Sequence, residues 1–498
     1  MNLTSQTLFF LMAAVPLFLL LIWSAGRIRT AAEYYAAGRE YGGIRNGLAI
    51  TGDYLSAASF LGITGLIVTS GYSGILYAVG FFAGWPLILI LLADKLRSIG
   101  HFTLADVLRE RFADRRIVLV ATVGYFPVVV IYLAAQFVAM AWLLNYLFGI
   151  SYDSALATLA VVAIITGLTG RMIFSSRAQI IKAILVFTVM GLLTLLAYLT
   201  TTPPLPELFS VDEVLIRLPV DVHFLPQEGD TPMALLSLGV ALILGPVGLP
   251  HVMSRFFSVS DERHARMSVF YATGLIGGFY ILIILLGFLA IQHLEASPWG
   301  ATGTANLAAV YLSDLVGGEV LSGVLAAVLM VVLFSVMTSL ILTGSSAFSH
   351  DWYALTLRPS GGYQEERRLH RLSGLVTVVT ASAFALLCRE QNVAYLVGLA
   401  FAFSASVSVP LLLGALYWER LTAQAALWGG VAGLLSALFA LMTGPLVWVG
   451  WFGFSEPVFP WRHPALLSVS IAVVVMWYFS RKEVRNVTEG GAAGEHTD

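Results

Sequence analysis

The stretch Leu244-Gly245-Pro246-Val247-Gly248-Leu249-Pro250 interrupts an apolar segment of the chain at about residues 233–254. Its two prolines each remove an amide donor, and its glycines lower the free-energy cost of unwinding a helix. A second apolar segment, at about 47–70, carries Leu61-Gly62-Ile63-Thr64-Gly65 in its middle. Glycine also serves close packing between membrane helices, and this alternative is stronger for the second segment, which has no proline. The two stretches predict two interrupted helices.

Both segments belong to a series of thirteen apolar spans in a chain that is 58% hydrophobic and 11% charged. A helix needs about 20 mostly apolar residues to cross a bilayer. With the amino terminus outside, 24 of the 27 Lys and Arg residues fall on the cytoplasmic side, as the positive-inside rule requires. The sequence therefore predicts an all-α, multi-pass cell-membrane protein with about 13 transmembrane helices and a cytoplasmic carboxyl terminus. The spans lie at about 6–25, 47–70, 74–94, 117–148, 153–170, 179–201, 233–254, 267–291, 319–349, 372–388, 392–417, 423–443 and 464–480.

Five spans separate the two interruptions, so spans two to six and seven to eleven are predicted to form two five-helix repeats. The odd number of helices in each repeat inverts the second relative to the first. Residues 1–30 are then an extra helix with the start of a cytoplasmic loop, and residues 31–420 are the ten-helix core. Residues 421–480 are two further helices, and residues 481–498 are expected to be a disordered cytoplasmic tail. The proline-rich outer segment at about 202–232 suits an ordered surface loop.

Several classes of function lack their motifs in this sequence. The single cysteine, Cys388, excludes an intrachain disulfide and a cysteine-rich metal site. None of the three lysines follows a phosphate-binding glycine-rich loop, so ATP is not expected as a partner. No zinc-protease motif or nucleophile elbow occurs, and nothing points to a nucleic acid. The expected partners are the lipid bilayer and a small solute, with an ion gradient as the energy source and no enzymatic activity.

Polar residues at helical spacing mark two of the spans. Asp53, Ser56 and Ser59 share one face of the second span. The carboxylate of Asp53 is equally consistent with a structural role near the interface and with a cation ligand. In the ninth span Ser335 shares a face with Thr338 and Ser339. Hard cations prefer oxygen ligands, although hydroxyls alone more often join helices to one another.

Two basic residues follow the interruption in the seventh span. His251 and Arg255 are four residues apart, so one helix face would present both side chains. Their position at the cytoplasmic end of the span favours a gate or a structural cap over catalysis.

Four strings of the sequence resemble the sodium/solute symporter family, and most closely its acetate permease branch, the cation/acetate symporters. The resemblance runs from about residue 31 to 420 in consistent order. It implies ten core helices in two inverted repeats and a cation site where the second and ninth spans meet. The strings are Glu33-Tyr34-Tyr35-Ala36-Ala37-Gly38-Arg39, Gly52-Asp53-Tyr54-Leu55-Ser56-Ala57-Ala58-Ser59-Phe60-Leu61-Gly62, Gly248-Leu249-Pro250-His251 with Arg255-Phe256, and Ser346-Ala347-Phe348-Ser349-His350-Asp351.

The resemblance also implies roles for particular residues. The cation ligands would be the carbonyl groups of Gly52, Leu55 and Val332 with the hydroxyl of Ser335. Ser56 aligns with a polar position that functions in relatives, and Ser59 with one near the substrate. Val336 stands where the family usually offers a second hydroxyl, so Thr338 or Ser339 would have to compensate, or the coupling ion would be a proton. Asp53 lies one residue before the carboxylate of some relatives, about 100° of helix rotation away, so the resemblance does not by itself give it a ligand role.

Together these features predict an ion-coupled secondary symporter, driven by sodium or protons, that imports a small monocarboxylate such as acetate or glycolate. Amide groups at the ends of interrupted helices can hold an organic anion without an intramembrane Lys or Arg. The predicted substrate contacts are Ser59, Gly62, Gly245 and Gly248. The alternative is a neutral or zwitterionic solute such as an amino acid, and a transporter-like sensor is a more distant one.

Overall fold

The computed structural model describes residues 5–24, 42–71, 73–99, 104–169, 176–201, 231–253, 255–256, 259–294, 302–349, 352–353 and 363–494. The described part of the first half of the chain is helical. After the second helix the backbone forms a short π-helical turn, Ala58–Gly62, before the third begins. The helices are α1 (Ser5–Ser24), α2 (Gly43–Tyr54), α3 (Ile63–Ser70), α4 (Ser73–Leu91), α5 (Ala93–Ile99), α6 (Leu104–Phe112), α7 (Arg115–Phe148), α8 (Tyr152–Thr169) and α9 (Ser176–Leu199).

The second half is also built from helices, and it too contains a break early on. A 3-10 turn, Gly245–Gly248, separates α10 from α11. The helices are α10 (Pro232–Leu244), α11 (Pro250–Met253), α12 (Glu262–His293), α13 (Thr302–Ala305), α14 (Ala308–Ser346), α15 (Tyr363–Leu387), α16 (Val393–Tyr417), α17 (Ala423–Thr443) and α18 (Ala465–Gly494).

Both apolar segments are interrupted, but only the second break lies where the sequence predicts it, at Gly245–Gly248. The first lies at residues 55–57, before the predicted stretch Leu61-Gly62-Ile63-Thr64-Gly65, which is helical. Glycine without proline keeps every amide donor, so it does not by itself end a helix. The segment Gly43–Tyr54 meets the segment Ala58–Ser70 at an angle of 66°. In the second break, Pro246 lacks an amide donor, and the amide of Leu249 bonds back to its carbonyl (3.3 Å). The breaks lie five predicted spans apart, as two five-helix repeats require.

Nine helices of the described residues are long and apolar enough to cross a membrane, and the bent pair makes up to ten. Three shorter apolar helices, Ser5–Leu19, Tyr152–Ile165 and Pro232–Gly248, lie at the other predicted span positions. The protein is therefore an all-α, multi-pass membrane protein. The count of 13 and the orientation of the termini stay predictions.

Local sequence explains where the longest regular helices begin and end. Helix α7 starts after Asp114, whose side chain accepts a hydrogen bond from the amide of Arg116 (2.8 Å). It ends at Gly149, which has a φ of +64° that favours glycine. Helix α14 bends at Gly318, which has a φ of +63°. Helix α16 lies in the centre of the bundle, with nearly all of its residues buried.

Helix α18 continues to Gly494, through most of the segment for which the composition predicts disorder. Residues 481–487 contain neither Gly nor Pro, so the hydrogen-bond ladder continues beyond the apolar part. Several other predictions fall outside the described residues. They concern the outer loop at 202–230, the string that begins at Glu33, and the side chains of His251, His350 and Asp351.

Candidate functional site

The break after α2 releases backbone groups from helical pairing in the interior of the bundle. The amide of Leu55 bonds to the carbonyl of Thr51 (3.0 Å) and closes the last turn. The amide of Ser56 donates to the hydroxyl of Ser59 (3.3 Å), so it does not extend the ladder to the carbonyl of Gly52. Gly52, Leu55, Ser56 and Ser59 are all buried. The carbonyl groups at the end of α2, including those of Gly52 and Leu55, are thus the groups that a helix end leaves for other partners.

Helix α9 joins this break to helix α14 through one glutamine. A Cβ atom added to Gly52 would lie against the carbonyl oxygen of Gln179 and 2.7 Å from its carbonyl carbon, so α2 and α9 touch here. The side-chain amide of Gln179 donates to the hydroxyl of Ser335 (3.1 Å). Its Oε1 atom is buried and has no hydrogen-bond partner in the described part of the chain. Gln179 therefore contacts both α2 and α14, which each carry a predicted cation ligand.

The residues of α14 that are predicted to lie at the cation site differ in burial and in hydrogen bonding. Val332 lies one turn before Ser335, and both are fully buried. The hydroxyl of Thr338 donates to the carbonyl of Phe334 (2.9 Å), within its own helix. Ser339 is only half-buried, and Val336 is buried and apolar. Among these side chains, Ser335 is the one with a hydrogen bond that connects α14 to α9.

Asp53 forms a buried ion pair with Arg255. Both residues are 8% exposed. The side-chain amide of Asn46 on α2 donates to the carbonyl of Arg255 (3.1 Å) and to the hydroxyl of Ser268 on α12 (3.2 Å). The sequence left open whether Asp53 is a structural residue or a cation ligand. In the structure its carboxylate forms a salt bridge, which is a structural contact. The pair connects α2 to the segment that follows α11, and the gating role of Arg255 stays a prediction.

Three buried tyrosine hydroxyl groups surround Ser56 and Ser59. Tyr280 on α12 donates to the hydroxyl of Ser59 (3.4 Å). Tyr132 on α7 hydrogen-bonds to Ser56. Tyr54 donates to the carbonyl of Phe81 (2.7 Å), and its hydroxyl lies near that of Tyr280. Polar hydrogen-bonding groups from α2, α7 and α12 thus converge on the break.

Aromatic rings enclose this polar cluster. Phe81 on α4 stacks on Tyr280, with ring centroids 6.4 Å apart, and meets Phe401 on α16 edge to face at 5.3 Å. Phe401 also lies 6.0 Å from the ring of Tyr132. The hydroxyl groups therefore lie in an apolar surrounding, where hydrogen bonds are stronger than in water.

The glycines predicted to contact substrate pack directly on α16. A Cβ atom on Gly245 would lie 2.7 Å from the Cα atom of Phe401, and one on Gly62 would lie 2.5 Å from the amide nitrogen of Ala394. The hydroxyl of Ser404 donates to the carbonyl of Gly245 (2.8 Å). The side-chain amide of Asn392 donates to the carbonyl of Gly62 (3.0 Å). These glycines permit close helix contact, and side chains of α16 satisfy two of their carbonyl groups.

Gly248 packs on the same helix, since an added Cβ atom would lie 2.7 Å from the hydroxyl of Ser404. The hydroxyl of Ser408, one turn further along α16, is buried and has no hydrogen-bond partner among the described residues.

A further buried polar group lies before α18. His463 is 3% exposed, and its ring meets those of Tyr395 (5.3 Å) and Tyr77 (6.1 Å). The hydroxyl of Ser237 donates to its carbonyl (2.5 Å). Burial, with the nearby Arg462 guanidinium as a smaller cause, holds the pKa of His463 at about 3. The imidazole is therefore neutral at physiological pH.

Sequence reasoning did not identify several of these residues. Gln179, Tyr132 and Tyr280 sit in apolar spans without a motif, and only their contacts reveal them. Tyr54 lies in one of the four quoted strings, but the resemblance gave it no role. Lys182 did carry a signal, because it is the only Lys or Arg inside the thirteen predicted spans. The count of 24 cytoplasmic basic residues included it, but the structure buries it in α9 with 1% exposure.

The comparisons with known proteins concern the fold and the family of the chain. A likeness in fold extends to a Na+-coupled sialic acid symporter in its substrate-bound outward-open state, with a TM-score of 0.72 and 14% identity, over 96% of this chain and 97% of that one. A manganese transporter of Eremococcus coleocola is similar at a TM-score of 0.51 and 18% identity, over 92% and 97%. The model of the sodium:solute symporter family matches residues 34–433. That match covers most of the sequence, and the chain belongs to the sodium:solute symporter family.

Proposed function

We propose that the protein is an ion-coupled secondary symporter that imports a small monocarboxylate such as acetate or glycolate. The observation that carries this proposal is the meeting of two chain segments at Gln179. The end of α2 supplies freed carbonyl groups, and Ser335 on α14 supplies a hydroxyl. Neutral oxygen atoms of this kind are the ligands that a sodium ion prefers.

Cation binding at this point would connect α2 with α14 through α9. A cation that binds one conformation of the transporter more tightly than the other shifts the equilibrium by that difference in affinity. Because the same conformation binds the solute, the two affinities are linked reciprocally. The buried Asp53–Arg255 pair holds α2 to the segment after α11, so it serves as a gate on the predicted cytoplasmic side.

The hydroxyl cluster beside the break supports an anionic solute. The hydroxyl groups of Tyr54, Tyr132 and Tyr280 now pair with neutral partners. A carboxylate that replaced these partners would accept charge-assisted hydrogen bonds, which are roughly twice as strong as neutral ones. The enclosing aromatic rings favour a small solute with an apolar end.

The test is uptake of labelled acetate into proteoliposomes, first under a sodium gradient and then under a proton gradient alone. We expect one of the two gradients to accelerate uptake, and unlabelled glycolate to compete. If neither gradient has an effect, coupled transport of a monocarboxylate is excluded. Competition by a neutral or zwitterionic amino acid, with no competition by glycolate, would favour the alternative substrate class.

A further inference from the structure

Lys182 is a buried basic residue in a mostly apolar helix. Its side chain is 1% exposed, in the interior of α9. Its Nζ atom has no hydrogen-bond partner in the described part of the chain. A buried, unpaired ammonium group is costly, and charged residues inside membrane proteins are usually paired or functional.

The position of Lys182 brings it beside the candidate cation site. It follows Gln179 by three residues on α9, and such residues have Cβ atoms about 5–6 Å apart on one helix face. Gln179 is the residue that contacts Gly52 and donates to Ser335. Lys182 therefore lies one helical turn from the residue that connects the predicted ligands.

The charges around Lys182 leave one positive charge in excess. The charged groups that act on it are Asp53 on α2 and Arg255 after α11. Helices α12 and α14 also pack on α9, and they add no charge that acts on Lys182 within the described residues. Because Asp53 and Arg255 already form a salt bridge, the ammonium group of Lys182 has no carboxylate of its own among the described residues.

We propose that Lys182 is a tethered cation that competes with sodium for this site. The inference rests on the proposed function, because it concerns the cation that drives uptake. An ammonium group at this position supplies the positive charge that a metal ion would bring, and it repels a second cation. At an effective dielectric constant of about 20, unit charges within about 8 Å repel by more than the free energy of a tenfold change in affinity.

The test compares the wild type with Lys182→Met and with the charge-conserving Lys182→Arg. Sodium binding is measured by the rise in thermal unfolding temperature on adding sodium chloride in place of choline chloride, since a ligand that binds the folded state stabilises it. We expect little sodium stabilisation of the wild type and of Lys182→Arg. We expect the sodium concentration for half-maximal stabilisation to fall at least about tenfold in Lys182→Met.

Two outcomes would overturn the proposal. One is a strong rise in the unfolding temperature of the wild type with sodium, a result that the wild type alone can give. The other is an unchanged sodium response in Lys182→Met, or in Lys182→Gln if the methionine variant does not fold. Counterflow of labelled acetate, which needs no ion gradient, tests the solute separately. Absent counterflow would reject the monocarboxylate while the sodium measurement still decides the role of Lys182.

Discussion

Gly52 is the position where a single added methyl group should disturb both stability and transport. In Gly52→Ala the new Cβ atom would lie 2.7 Å from the carbonyl carbon of Gln179, whereas ordinary contact begins at 3.4 Å. The position of the new Cβ atom is fixed by the backbone of residue 52, and the atoms that it meets are backbone atoms of Gln179. Neither group can rotate away, so α2 and α9 must move apart. Overpacking of this kind costs typically about 1–3 kcal/mol. The higher helix propensity of alanine returns at most about 1 kcal/mol.

The shift should also affect the candidate site, because Gln179 holds Ser335 by a 3.1 Å hydrogen bond. We expect solute uptake by Gly52→Ala to fall by more than the loss of folded protein explains. The matched control is Gly191→Ala in α9, where an added Cβ atom meets nothing within 4 Å. That variant should be as stable as the wild type or slightly more stable, with normal uptake.

The chain carries its own reporter for this measurement. Cys388 is its single cysteine and is fully buried, so a thiol-reactive fluorophore labels it only as the fold is lost. Thermal unfolding of both glycine variants can therefore be followed in detergent without further substitutions. The reasoning is refuted if Gly52→Ala unfolds and transports like Gly191→Ala.

Three further predictions concern the other buried polar groups. Arg255→Met leaves Asp53 buried without its salt bridge and should cost about 3–5 kcal/mol in the free energy of unfolding. Adding Asp53→Asn should recover much of that loss, and equal unfolding temperatures for the single and double variants would contradict this. Ser335→Ala should weaken the cation dependence of uptake far more than membrane insertion, and an unchanged dependence would remove this residue from the site. The pKa of His463, held at about 3 mainly by burial, lies below that of the unfolded chain, so the unfolded state binds more protons between those values and stability should fall as the pH drops below about 6.5. His463→Asn should flatten the unfolding temperature between pH 7 and pH 5, and an unaltered slope would show that other groups cause it.

The interruption in the seventh span was predictable because its cause is local, whereas the break at residues 55–57 contains neither glycine nor proline and was predicted too late in the chain. Proline and glycine act within a few residues, so Gly245-Pro246-Val247-Gly248 announces a break wherever the helix packs. The salt bridge between Asp53 and Arg255 was not predictable, since it joins residues 202 positions apart. A resemblance to a family carries over only matched positions, so it gave Ser335 a role and none to Gln179.

Lys182 illustrates a different limit. A basic residue near the end of an apolar span can reach the interface or remain inside, and only packing decides between these outcomes. The count of cytoplasmic basic residues assumed that Lys182 reaches the interface, whereas the structure buries it inside the bundle.

The side chains of α16 that hold the two breaks have a mechanical consequence. Asn392 caps the start of α16 and donates a hydrogen bond to the carbonyl group of Gly62. Ser404, within the same helix, donates one to the carbonyl group of Gly245. Hydrogen bonds within the chain consequently stabilise both interrupted segments, whether or not a solute is bound. A movement of α16 would therefore act on both interrupted segments at the same time, so this helix couples the two halves of the chain mechanically.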